Sequence, residues 1–338
     1  MPPPPSQRVR DRFEALAGSR LPVAGWAVVV LAGLGALVAA MVPVGPSWLS
    51  GAGAVAVATA YSWALAARTG GRPMVFGGLA LALGVAVLVS DLDALRTGAA
   101  VMTCVVTAVL GVVATVPAVT SLKAAREAVI AVLIAAVGAL ATVGFEPVIT
   151  LARFEYATLG LALLGAFGVV YRLGAGLHGL GRRGLLVVLI GTAVLALTLA
   201  YAELLRRYGT PGLVRTFLDG VVWTRETLGA FPRPIMTILG VPALVWGCHV
   251  RARRRQGWWV CAFGVGATAS VAQALLNPQV TLQESGLSAV YGLVVGLVIG
   301  FVVIRVDLAI TGQRGGRARR AEEAAAGRPE PTRTQPLL

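Results

Sequence analysis

Long apolar runs alternate with short polar, arginine-bearing stretches along the whole 338-residue chain. Ten apolar segments can be drawn, at about 22–42, 50–67, 74–90, 99–119, 128–144, 156–171, 185–202, 235–249, 258–276 and 287–304. A helix crosses the roughly 30 Å hydrocarbon core of a bilayer with about 20 apolar residues, and several segments reach that length. The third, sixth and eighth are shorter, and short spans thin the bilayer, sit inside a bundle or re-enter from one side. The pattern predicts an all-α, polytopic transmembrane helix bundle of about ten spans. The first run is too long for a signal peptide and has no convincing cleavage motif, so it reads as an uncleaved helix.

Composition agrees with this reading. The chain is 57% hydrophobic and 13% charged, with mean hydropathy +0.80, about half the charged fraction of a soluble domain. The net charge is +14, and Lys123 is the only lysine. With the N-terminus inside, 22 of the 29 Lys and Arg residues fall in the N-terminal stretch, 68–73, 120–127, 172–184, 250–257 and the stretch after 304. The other seven are Arg96, Arg153, Arg206, Arg207, Arg215, Arg225 and Arg233. That bias is the positive-inside pattern, and a wrong helix count would scramble it. It predicts a plasma (inner) membrane protein with both termini cytoplasmic. Membrane lipids are the expected partners, and nucleic acid is not. The expected organisation is a cytoplasmic tail over 1–20, a transmembrane domain over 21–304 and a disordered cytoplasmic tail over 305–338.

Small residues crowd the spans, which suits close helix approach where lipid gives no hydrophobic drive between helices. Gly292, Gly296 and Gly300 repeat every four residues and predict a packing seam on one helix face. Cys104, Cys248 and Cys261 lie in or beside apolar runs without a CxxC spacing, and read as buried apolar residues. The span centres carry no Asp, Glu, Lys, Arg or His, which argues against a proton relay. Thr268, Ser270 and Gln273 are the polar residues of the ninth span, and such groups usually bond neighbouring helices. No HExxH, Walker, dinucleotide or GxSxG motif is present, so no cofactor is expected and no reaction is assigned.

The one long outer loop, 201–234, is the informative stretch. Gly209-Thr210-Pro211-Gly212 signals a turn, and a helical pattern follows. Val214, Phe217, Leu218, Val221 and Leu228 share one face, while Arg215, Asp219 and Glu226 gather on the other. Arg215 and Asp219 are four apart and can pair. Arg206, Arg207, Arg215, Arg225 and Arg233 concentrate here against the topological bias. Two readings stand: an interfacial helix on the outer leaflet, or an anion site in which guanidinium groups hold a phosphate bidentately. Asp91-Leu92-Asp93 is an acidic pair on the same side, with solvated carboxylates as its default reading.

Arg215, Leu218-Asp219, Arg225, Pro232–Pro234, Gly240-Val241-Pro242 and the Gly292–Gly300 span carry a resemblance. Over Leu213–Phe301 the chain resembles the C-terminal part of a bacterial membrane family associated with cell-envelope polysaccharide loci. That resemblance points to a role in envelope glycan assembly; on the anion-site reading of the loop, Arg206, Arg207, Arg215 and Arg225 are expected to bind the phosphate of a lipid-linked phosphorylated precursor, with Asp219 orienting Arg215. Envelope-biogenesis proteins would then be partners. Two alternatives remain on the sequence: a transporter of five-plus-five helix plan, and a non-catalytic scaffold for envelope enzymes.

Overall fold

A computed structural model describes residues 21–42, 45–90, 92–175, 177–253, 256–311 and 330–337. Among them the chain is helical, with no strand. The helices are α1 (Leu21–Met41), α2 (Trp48–Arg68), α3 (Pro73–Val89), α4 (Asp93–Val113), α5 (Ser121–Gly144) and α6 (Leu151–Val170). They continue with α7 (Leu177–Tyr208), α8 (Pro211–Leu228), α9 (Val241–Arg251), α10 (Gly257–Ala262), α11 (Val265–Leu275) and α12 (Leu282–Thr311). Asp91 lies outside the described residues.

Every apolar segment drawn from the sequence is helical. Among the described residues eight stretches are long and apolar enough to cross a membrane, including the sixth segment, which extends over Leu151–Leu173. The third and eighth remain short, as Pro73–Val89 and Ile235–Arg251. α10 and α11 form one of the eight together, Gly257–Leu275, and 94% of its most apolar window is buried. The matching window in Gly184–Tyr201 of α7 is only 6% buried, so that helix presents its apolar surface outward.

Prolines set the local breaks. Pro117 follows α4, and Pro147 lies in the α5–α6 connection. Pro242 begins α9, where its ring removes a donor and crowds the carbonyl four residues back. The chain accommodates it with a π-helical turn over Ile235–Gly240, and Val241 N–H donates to Met236 O.

The core is built from small residues. On α5, Ala124, Ala128, Ala131, Ala135, Gly138 and Thr142 recur at spacings of three and four and are all buried. This narrow face packs against α2, α4, α9 and α11 at once. Gly292, Gly296 and Gly300 do form a seam: a Cβ at Gly296 would lie 2.6 Å from Val241 Cβ, and one at Gly300 2.8 Å from Val245 Cβ. α12 therefore lies backbone-close along α9. All three cysteines are buried and free. Thr268 donates to Ala108 O at 3.0 Å, tying α11 to α4, whereas Ser270 bonds its own helix at Gly266 O.

Two differences from the hydropathy reading bear on function. α12 runs on to Thr311, past the 304 edge. Residues 330–337 pack onto the bundle instead of trailing away from it, with Leu337 against the core.

Candidate functional site

Polar groups gather at the two ends of the bundle. At one end, Pro117 stops α4 and leaves the N–H groups of Val116 and Ala118 and the carbonyls of Val113 and Thr115 without helical partners inside a packed region. Buried peptide groups need partners, and three side chains and one carbonyl supply them. Arg251 donates to Thr115 Oγ1 at 2.8 Å and to Thr115 O at 3.0 Å. Glu127 Oε2 accepts from Val116 N at 3.0 Å. Ala118 N donates to Cys248 O at 2.9 Å. Arg68 Nε donates to Val113 O at 3.0 Å.

These charges are deeply placed. The Arg251 side chain is 0% exposed and Glu127 1%. The Arg251 guanidinium lies 3.5 Å from the centroid of the Trp258 ring, a desolvated cation–π contact. Gly257 makes the position possible, because a Cβ there would stand 2.7 Å from Gly247 O and 2.8 Å from Arg251 Cγ.

Residues 330–337 complete this cradle. Glu330 Oε2 accepts from Arg251 Nη2 at 2.7 Å, and Arg333 Nη2 donates to Glu127 Oε2 at 2.6 Å. Thus an acid and a base three residues apart meet a buried base and a buried acid. Arg68 Nη1 donates to the carbonyls of Thr332, at 2.6 Å, and Gln335, at 2.5 Å. Leu337 N returns a bond to Arg68 O at 2.8 Å.

The opposite end holds the loop singled out from the sequence. α8 forms as predicted, and Gly229, in the left-handed region at φ 78°, ends it with its N–H on Arg225 O. None of the described side chains of α8 is buried; Leu218, Val222, Trp223 and Leu228 are exposed. Arg225 Nε pairs with Glu284 Oε1 at 2.9 Å. Arg233 pairs with Glu155 Oε1 at 3.1 Å and donates to Gln273 O at 3.2 Å. Gln273 in turn donates to Glu155 O and Thr158 Oγ1, both at 3.0 Å.

A cleft of about 360 Å³ opens between α8, the Phe231–Pro234 turn and the start of α12. Arg225, Arg233, Asn277 and Glu284 give it polar walls; Tyr201, Leu218 and Val221 give it apolar ones. Of the residues named from the sequence as binding phosphate, Arg225 lines it. Arg207, Arg215 and Asp219 are exposed on the same stretch but do not line it, and no ion pair joins Arg215 to Asp219 among the described residues. The side chain of Arg206 lies outside the described residues. Among the described residues, no cluster of His, Cys, Asp and Glu has the makings of a metal site.

The sequence reading passed over Arg68, Glu127 and Arg251, because charges at span ends are the ordinary signature of topology. Glu127 did offer a signal: it is the one acid in the basic 120–127 stretch.

The fold and these ends define a multi-helix protein of the membrane-spanning type. The chain matches no protein-family model, no curated protein and no solved structure.

Proposed function

We propose that this protein sits in the plasma membrane with ten spans and both termini cytoplasmic, and that it binds a lipid-linked, phosphorylated glycan precursor in the cleft beside α8. The observation that carries this reading is the cleft itself. It joins two guanidinium groups to an apolar rim, which suits a ligand with a charged head and a hydrocarbon tail. Glu284 comes nearest to Arg225 at Nε, 2.9 Å away, and among the described residues the Arg225 Nη donors make no hydrogen bond, leaving a fork for phosphate oxygens. Arg225 is half exposed, so the ligand meets it without first breaking a buried pair. Arg207 and Arg215, exposed nearby, add attraction for an anion arriving along the membrane surface.

The sidedness of the reading rests on charge. Hydrogen bonds draw residues 68, 113–127, 248–251 and 330–337 to one end. Others draw 155, 225–233, 273–274 and 284–291 to the other. The first group comes from the arginine-rich segments, which favour the cytoplasm.

Native mass spectrometry of protein extracted in its own lipids tests the proposal. A polyprenyl-phosphate or glycolipid adduct is expected on the wild type and is expected to vanish in Arg225→Ala. Bulk phospholipid alone, equal in both, overturns it.

A further inference from the structure

A second cavity lies at the opposite end, against the charged cradle. It holds about 150 Å³ and is walled by Val23 and Trp26 of α1, Trp63, Ala64 and Ala67 of α2, Leu110 and Ala114 of α4, and Ile134 of α5. Arg333 and Thr334 roof it. An apolar cavity of about this size accepts a benzene-sized group, or a few methylenes of a chain that continues outward. Trp26 and Trp63 make the walls aromatic, and Trp26 is itself fixed by donating to Ala60 O at 2.9 Å.

One polar group lines this cavity from the protein's own helices: Arg68, only 4% exposed. Its Nε and Nη1 are spent on Val113, Thr332 and Gln335, yet its buried Nη2 has no hydrogen-bond partner among the described residues. A buried guanidinium donor without an acceptor is costly, and so calls for an anionic acceptor. A hydrocarbon-sized pocket beside an unmatched buried cation has the chemistry of an amphiphile site.

We infer that this pocket binds an anionic membrane phospholipid, whose phosphate accepts from Arg68 Nη2 and whose acyl chain lies between Trp26 and Trp63. The 330–337 segment is then the roof of a lipid site, and Arg333 stands beside the phosphate while holding Glu127. This site is at the other end of the bundle from the α8 cleft, so the two proposals stand or fall separately.

Photolabelling decides it. The full chain is reconstituted in phosphatidylcholine nanodiscs containing a trace of diazirine-tailed phosphatidylglycerol, phosphatidylcholine or free fatty acid, and labelled peptides are mapped. The phosphatidylglycerol probe is expected to mark the Trp26 and Trp63 peptides about tenfold more than the phosphatidylcholine probe, whose phosphate is the same but whose choline cation is repelled by Arg68 and Arg333 at the cavity. Arg68→Gln is expected to abolish that preference. Ala64→Phe fills the cavity without touching the hydrogen bonds of Arg68, and is expected to remove the label. Equal labelling by both phospholipids overturns the inference, even if Arg68→Gln fails to fold. So does unchanged labelling in Ala64→Phe, and so does labelling by the fatty acid alone.

Discussion

The two ends of this bundle use the same residue types and do opposite things with them. At one end Arg251 and Glu127 are sealed among helices and matched by Glu330 and Arg333. At the other, Arg225 is 51% exposed against a Glu284 that is itself 22% exposed. Removing a charge from water costs several kcal/mol per ion, and only matched partners offset it. The sealed Arg251–Glu330 and Glu127–Arg333 pairs therefore hold fixed geometry, while the open Arg225–Glu284 pair keeps donors that water now covers and a ligand can take. Depth of burial, more than the identity of the pair, separates an ion pair that supports the fold from one poised to bind.

The comparison predicts its own tests. Arg251→Ala strips Glu330 and the Thr115 carbonyl of their donor, and is expected to cost about 3–5 kcal/mol. Thermal unfolding in detergent measures this, and a loss below about 1 kcal/mol would erase the distinction between the ends. Gly240→Val comes next. A Cβ there runs into the backbone of Gly266 and Ala267, and overpacking of this kind costs about 1–3 kcal/mol. Gly220→Ala on α8, with nothing within 4 Å, is expected to be neutral or slightly stabilising in the same assay. The double variant Glu330→Gln/Arg333→Gln is milder, since its side chains are 17% and 31% exposed, and should lower stability by about 1–2 kcal/mol. Hydrogen exchange at the Leu337 amide, bonded to Arg68 O, should quicken with it. Arg225→Ala is expected to change stability by less than about 1 kcal/mol while losing the lipid adduct. Arg215→Ala, whose side chain does not line the cleft, should change stability just as little and retain most of the adduct.

Much of the fold was legible because one force dominates it. Each of the ten apolar segments drawn by length falls largely on helix, and the i, i+4 glycines at 292, 296 and 300 announced the seam with α9. The amphipathic 211–228 pattern also gave a helix, but not its partners. Arg225 meets Glu284, which lies 59 positions along the chain, and periodicity reports only local neighbours. The cradle was hidden for a different reason. Arg68, Glu127 and Arg251 occupy span ends, where charge is ordinary. The residues that match them sit in a Pro-, Thr- and Arg-bearing stretch whose composition resembles that of unfolded chain. Nothing in local propensity separates a segment that stays solvated from one that fits a charged recess.

The cradle also sets an order of events in biogenesis. Arg68 waits 264 residues for the Thr332 carbonyl that it holds. At synthesis rates of about 5–20 residues per second, that interval is roughly 13–50 s. Throughout it, water or lipid headgroups must solvate a guanidinium that ends up sealed. A stretch made long after Arg68 is thus the one that closes the recess, and quality control that recognises a hydrated arginine there would distinguish a chain in which the recess is open from one in which it is closed.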